Sequence, residues 1–377
     1  MKKLKVMSIF GTRPEAIKMA PVVLELRKYP EVESTVAVTA QHREMLDQVL
    51  RLFDIRPNFD LNIMSEGQTL FDITSRALLG LDKVLREATP DVILVHGDTT
   101  TTFAGALAAF YHQIEVGHVE AGLRTQNKFS PYPEEMNRRL TGSLADLNFA
   151  PTETAKENLL RENVDADKIF VTGNTVIDAL YKTVRADFEF TNLDTDKRII
   201  LVTTHRRENL GEPLRQVYKA LRALVEEFSD VEIIFPVHKN PRVREVVNEE
   251  LGGLERVFLT DPLDYEPFAN LMNKATLILT DSGGVQEEAP ALGKPVLVLR
   301  DTTERPEALT AGTVKLIGTN RENVYSTAKI LLTDTTAYKK MAEARSPYGD
   351  GHAAERIVKA LLWRYKILSE RPAEFGK

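Results

Sequence analysis

Leu277-Ile278-Leu279-Thr280-Asp281-Ser282-Gly283-Gly284-Val285-Gln286-Glu287-Glu288-Ala289-Pro290 is an apolar run that hands over to two glycines and then to helix-forming sequence. A buried strand passing at once into a helix is the repeating step of a parallel α/β domain. Ser282, Gly283 and Gly284 let backbone approach a phosphate closely, and the start of the helix offers unpaired N–H groups and a positive dipole end. Glu288 falls about one turn into that helix, where it could accept hydrogen bonds from ribose hydroxyls. The stretch fits a nucleotide-diphosphate seat; read alone, it is also compatible with an ordinary strand-to-helix turn.

At the other end of the chain, Leu4 to Phe10 reads as a buried strand, followed by Gly11-Thr12-Arg13-Pro14-Glu15 and a helical pattern from about Ala16. Pro14 suits a first helical position. Arg13 and Lys18 would project near that helix start, where cations meet a diphosphate or stay solvated. No Gly-x-Gly-x-x-Gly follows the first strand, so this is not the dinucleotide fingerprint.

Between these ends strands alternate with amphipathic helices. Thr35 to Val38 precedes Arg43 to Phe53; Asp91 to Val95 precedes Thr99 to Phe110; Ile114 to Val119 precedes Pro133 to Leu144. After Asp187 to Lys197 the rhythm restarts with strands at Ile199 to Val202, Glu232 to Pro236, Val257 to Leu259, Leu277 to Leu279 and Val296 to Leu299. The pattern predicts two Rossmann-like, doubly wound domains facing across a cleft at the carboxyl ends of their strands. The division is expected at residues 1–167 plus 357–377 for the first domain and 168–356 for the second. The last helix carries Ile357, Val358, Leu361, Leu362, Tyr365 and Leu368 at three- and four-residue spacing and is expected to cross back onto the first domain.

Composition limits the chemistry. A chain of 377 residues exceeds a single core, and 43% hydrophobic with 28% charged residues describes a globular protein. A net charge of -6 with interspersed Lys and Arg argues against a nucleic-acid surface. The absence of cysteine excludes disulfides, thiolate nucleophiles and thiolate metal sites. No window approaches the roughly 18 apolar residues of a membrane span, and the first apolar run is too short for a signal peptide, so the cytoplasm is the expected compartment.

Acids and cations gather at the expected strand ends. His96-Gly97-Asp98 precedes Thr99 to Thr102, His118-Val119-Glu120 ends the next strand, and Pro133-Glu134-Glu135-Met136-Asn137-Arg138-Arg139 opens a helix. His205-Arg206-Arg207-Glu208-Asn209 ends a strand of the second half. Asp98 could be a helix N-cap, and at most one of Glu134 and Glu135 is expected to reach a ligand. His-x-Asp and His-x-Glu invite a metal-site reading, but core histidines fit better and no metal is expected. His205, beside two guanidiniums, reads as a phosphate contact rather than a general base.

Together, Gly11-Thr12-Arg13-Pro14-Glu15, His96-Gly97-Asp98, His118-Val119-Glu120-Ala121-Gly122, Pro133-Glu134-Glu135, His205-Arg206-Arg207-Glu208-Asn209 and Asp281-Ser282-Gly283-Gly284 with Glu287-Glu288 resemble the bacterial non-hydrolysing UDP-N-acetylglucosamine 2-epimerases along essentially the whole chain. The resemblance implies a glycosyltransferase-B-like fold and reversible conversion of UDP-N-acetylglucosamine to UDP-N-acetylmannosamine without cofactor, serving surface polysaccharide or teichoic acid synthesis. It implies a catalytic set of Lys18, Asp98, Glu120, Glu134 and His205, and a UDP set of Arg13, Arg138, Ser282, Gly283, Gly284, Glu288 and Arg305. It also implies a homodimer and activation by UDP-N-acetylglucosamine at a second site formed by Gln41, His42, Arg206 and His238, with Arg43 nearby. Glu44 and Gly67 stand where some relatives carry Gln and Arg, an added carboxylate and a lost cation that should weaken diphosphate binding there. A hydrolysing epimerase, a retaining glycosyltransferase and a non-catalytic UDP-sugar sensor are the alternatives.

Overall fold

The computed structural model describes residues 2–40, 43–190, 197–206 and 209–376. They form two compact units, Met1–Ala179 with Tyr348–Lys377, and Leu180–Pro347.

In the first unit seven strands, β1 (Leu4–Phe10), β2 (Val32–Val38), β3 (Phe59–Asp60), β4 (Val92–His96), β5 (Glu115–Val119), β6 (Leu147–Ala150) and β7 (Ile169–Val171), form a sheet in the order β3-β2-β1-β4-β5-β6-β7. All pairings are parallel, with Ile9 opposite both Ala37 and Val95. Helices cover both faces, so the central strands are near-continuous apolar runs; Met7, Ile9, Ile93 and Val95 are fully buried. The strand order reverses between β1 and β4. Ligands of doubly wound sheets bind at such a reversal, outside the carboxyl ends of the strands.

The second unit repeats this plan. β8 (Arg198–Thr203), β9 (Val231–Pro236), β10 (Val257–Thr260), β11 (Leu277–Thr280), β12 (Val296–Val298) and β13 (Val314–Leu316) lie in the order β10-β9-β8-β11-β12-β13, again parallel. Its reversal falls between β8 and β11, the strands that lead into His205 and Asp281. Tyr218 and Phe235 fill its core, their rings 5.6 Å apart, and the Tyr218 hydroxyl meets the Thr204 hydroxyl at 2.8 Å.

The strands expected from sequence are present. The expected division after Asp167 is displaced: β7, which includes Phe170, pairs with β6, so the first unit runs on to Ala179. The return also comes earlier than residue 357, at Tyr348. The last helix begins at Ala353, where the buried Asp178 carboxylate accepts the N–H groups of Ala353 and Ala354 at 3.2 and 2.8 Å. That helix packs on the first unit, as its apolar stripe requires: Ile357, Val358, Leu361 and Leu362 are all buried.

Candidate active site

Each unit carries part of the expected constellation at its own strand reversal. In the first unit the loop after β1 starts the helix Arg13–Leu26, and the loop after β4 starts the helix Thr100–Tyr111. Glu15 ties the two together. Its buried carboxylate accepts N–H groups from Gly11 and Thr12 at 3.1 and 2.8 Å and hydroxyls from Thr99 and Thr102 at 2.8 and 3.3 Å. Burial raises its proton affinity above the ordinary carboxylate range, and the hydrogen bonds from Thr99, Gly11 and Thr12 offset only part of that rise. Arg13 and Lys18, carried on the same helix, are thereby fixed relative to the loop that bears Asp98.

Lys18 forms an ion pair with Glu120, which follows β5. Glu120 is held with φ at 61°, the left-handed region that a residue with a side chain occupies only when its surroundings over-determine it. Asn174 donates its side-chain amide to Glu120 Oε2 at 2.8 Å, and His96 Nε2 lies 3.8 Å from the same oxygen. Burial drives the pKa of His96 down to about 3 and that of His118 to about 4, so both are neutral. His118 meets the Gly97 carbonyl at 2.7 Å through Nε2. The two histidines are therefore core groups that shape the strand ends, as expected. Among the described residues no three His, Asp or Glu side chains are gathered to hold a metal.

Asp98 pairs with Arg138 at 2.9 Å, and its carbonyl accepts the Asn137 amide at 3.0 Å. Burial pushes the Asp98 carboxyl above the ordinary range, Arg138 opposes the shift, and the charges of Glu120 and Glu134 add to it. The N-cap of the following helix is Thr99, which accepts from the Thr102 N–H at 3.2 Å, so the capping reading of Asp98 is replaced. Of the two acids opening the helix Glu134–Leu144, Glu135 is fully buried, accepts from the Thr125 and Gln126 N–H groups and pairs with Arg139. Glu134 is half-buried, and its charge acts on Asp98. Lys18, Asp98, Glu120, Glu134 and Arg138 thus gather in one unit, with Arg13 half-buried at the start of its helix. Arg138, expected among the UDP contacts, is placed beside an acid.

In the second unit Ser282 is the N-cap of the helix Gly283–Ala291 and makes no side-chain cap, leaving the N–H groups of the first turn to an incoming group. A Cβ added to Gly283 would meet nothing within 4 Å. Five residues on, Glu288 accepts the Tyr265 hydroxyl at 3.3 Å. Arg305 is ion-paired with Glu287, and Thr303 donates to Gln286 Oε1 at 2.6 Å, so the loop holding Arg305 is laced to that same helix.

His205 faces the fully buried Asp281, with Nδ1 at 2.9 Å from Oδ1. The Asp281 carboxylate also accepts the His205 and Arg206 N–H groups at 3.0 Å each. Burial pushes its proton affinity up, but these donors outweigh it and hold the carboxyl below its usual range. Arg206 lies 3.8 Å from Glu304, and the His238 ring centroid is 6.5 Å from that of His205. Gln41 and His42 lie outside the described residues. Arg43 is engaged by Asp47 and Asp60, Glu44 is exposed, and Gly67 has φ 68° in open space.

Glu15, Asn174 and Asp281 were not assigned roles by sequence reasoning. The Thr12-x-x-Glu15 spacing is a capping signal that could have found Glu15. Asp281 sits within a quoted motif but declares its partner only through the β8–β11 pairing, and Asn174 carries no local signal.

Two Rossmann-like units, one gathering acids and a lysine and the other opening a helix start beside a histidine, define an enzyme class built to act on nucleotide-linked ligands. Residues 24–362 match the family model for UDP-N-acetylglucosamine 2-epimerase. The chain is 63% identical over 377 residues to the UDP-N-acetylglucosamine 2-epimerase of Bacillus subtilis (strain 168), covering 100% of this chain and 99% of that one. A crystal structure of a UDP-N-acetylglucosamine 2-epimerase superposes with a TM-score of 0.95 at 61% identity, covering 100% of both chains. The Neisseria meningitidis UDP-GlcNAc 2-epimerase bound to UDP-GlcNAc gives 0.84 at 51% identity over 95% of this chain and 100% of that one. The chain belongs to the UDP-N-acetylglucosamine 2-epimerase family, and its activity is that of an epimerase acting on UDP-N-acetylglucosamine.

Proposed function

We propose that this protein converts UDP-N-acetylglucosamine reversibly to UDP-N-acetylmannosamine in the cytoplasm without hydrolysing the sugar–nucleotide bond. The observation that carries the reading is the gathering of Asp98 and Glu120, at the ends of neighbouring strands, with Lys18 and Arg138 paired to them and the charge of Glu134, from a helix start, acting on Asp98. Carbon 2 has no adjacent carbonyl, so its proton is not acidic in the resting sugar. As the bond from carbon 1 to the UDP oxygen breaks, UDP leaves with the electron pair and the developing oxocarbenium ion acidifies that proton. A carboxylate takes the proton, leaving 2-acetamidoglucal. Return of a proton to the other face of carbon 2 and re-addition of UDP at carbon 1 invert the centre.

In this reading the acid cluster handles the proton, a step worth about 10²–10⁴-fold for a positioned base. In the second unit Ser282, Gly283, Gly284 and Arg305 stabilise the departing diphosphate, Glu288 holds the ribose, and His205 lies against the phosphates. The Neisseria relative bound to UDP-GlcNAc supports the ligand class. Activation by UDP-N-acetylglucosamine at a site including Arg206 and His238 belongs to the same proposal, weakened by Glu44 and Gly67. A lag with UDP-N-acetylmannosamine alone, abolished by traces of UDP-N-acetylglucosamine, is the expected sign.

Proton NMR of the protein with UDP-N-acetylglucosamine in deuterated water tests the reaction. UDP-N-acetylmannosamine carrying deuterium at carbon 2 is expected. Free UDP with N-acetylmannosamine would replace this reading with the hydrolysing one, and an unchanged spectrum despite binding would leave a transferase or a sensor.

A further inference from the structure

Asn174 stands in the loop after β7, and three of its polar groups do three different things. Its backbone N–H donates to the Tyr348 carbonyl at 2.6 Å, where the chain re-enters the first unit. Its side-chain oxygen accepts the Val176 N–H at 3.0 Å, closing an Asx turn. Its side-chain N–H donates to Glu120 Oε2 at 2.8 Å. The residue is buried, and Glu120 itself is held at a positive φ.

Lys18 and Asn174 converge on one oxygen of Glu120. The other oxygen, Oε1, faces the Gly97 loop, 3.7 Å from where a Cβ at that glycine would stand. A carboxylate gripped at one oxygen by a cation and an amide cannot swing freely. Its second oxygen is then presented in one direction.

We propose that Asn174 is the positioning residue of Glu120, fixing its carboxylate through Oε2 and so setting the direction in which Oε1 meets the sugar. The inference rests on Glu120 handling a sugar proton. Neither Lys18 nor strand geometry alone does this work, because a lysine ammonium on a four-carbon stem follows a rotating carboxylate, whereas an amide locked into an Asx turn does not.

Two substitutions separate the role from simple structure. Asn174→Asp and Asn174→Ser both keep an acceptor for the Val176 N–H and the backbone bond to Tyr348, so the loop is retained. Asp places a like charge against Glu120; Ser is too short to reach it. A base works above its own pKa, and a neighbouring negative charge raises that pKa. The acid limb of kcat/KM should therefore move up by roughly 1–3 pH units in Asn174→Asp and by less in Asn174→Ser. Turnover should fall on the order of 10²-fold in both through lost aim, with UDP affinity unchanged.

Acid limbs that coincide with the wild type, or a parallel loss of UDP affinity, would overturn the inference. Glu120→Gln, measured alongside, keeps the two failures apart. If it retains activity, the reading of Glu120 is wrong; if it is inactive while the Asn174 variants titrate as wild type, only the role of Asn174 falls.

Discussion

Asp281 holds His205 and the residue after it by three hydrogen bonds at once: the imidazole Nδ1 at 2.9 Å, the His205 N–H, and the Arg206 N–H. With Nδ1 turned to the carboxylate, the other ring nitrogen is presented away from it, and the aim of the ring is set by a residue just past the end of a neighbouring strand. Asp281→Asn should lower kcat on the order of 10²-fold by disturbing tautomer and orientation. Combined with His205→Asn, it should be no slower than the worse single variant, because the two act as a unit. Steady-state kinetics of the two singles and the double variant checks this.

Asp98→Asn and Glu120→Gln should each reduce turnover by about 10³-fold or more while UDP still binds. Calorimetric titration with UDP beside the rate assay separates the cases. Loss of UDP affinity in a folded variant would make these residues ligand contacts instead.

Gly283→Ala probes the anion seat without touching a charge. Its Cβ would enter empty space, so folding and melting temperature should be preserved. A bound diphosphate would fill that space, and overpacking costs about 1–3 kcal/mol. UDP affinity should therefore drop roughly tenfold to a hundredfold, read by the same titration. Unchanged affinity would place the diphosphate elsewhere.

Asp178 predicts a pH dependence of stability. Burial raises its pKa to about 6 from the ordinary 3.8. The folded state then binds a proton that the unfolded state has released, so this contribution is present below about pH 4 and is lost as pH rises through 6. In a pH series of melting temperatures, the stability of the wild type relative to Asp178→Asn should decline across that window, by about 1–3 kcal/mol in total. A difference constant with pH would contradict the assignment.

Leu79, Phe110 and Tyr111 are exposed on two helices joined by the bond from His112 to Asp82. Exposed apolar side chains can serve self-association, and a homodimer formed through these is the expected outcome. Light scattering should give twice the chain mass for the wild type and a monomer for Leu79→Lys with Phe110→Lys.

Much of this architecture was legible in the chain. Apolar runs such as Leu4 to Phe10 and Ile199 to Val202 announce buried parallel strands, and the glycines after Leu277 to Thr280 mark the strand-to-helix turn. The short strands β6 and β7 were missed because three or four apolar residues without alternation look like any buried segment. Missing them set the domain edge too early. Asp98, Glu120 and Glu134 were legible as acids at strand and helix ends, and the structure gathers them. Asn174 and Asp281 were not, because their roles arise from strands distant in sequence. Glu135 and Glu134 differ only in which face of one helix turn they occupy, and only packing distinguishes them.

In the proposed reaction the bond from carbon 1 to UDP breaks and re-forms in each turnover. UDP-N-acetylglucosamine labelled with oxygen-18 at the bridging position tests it directly, by phosphorus NMR during the reaction. If UDP departs, its β-phosphate rotates and the label should spread into the non-bridging positions as epimer accumulates. Epimer formed with the label still wholly in the bridge would show that carbon 1 never lets go, and the elimination account would be wrong.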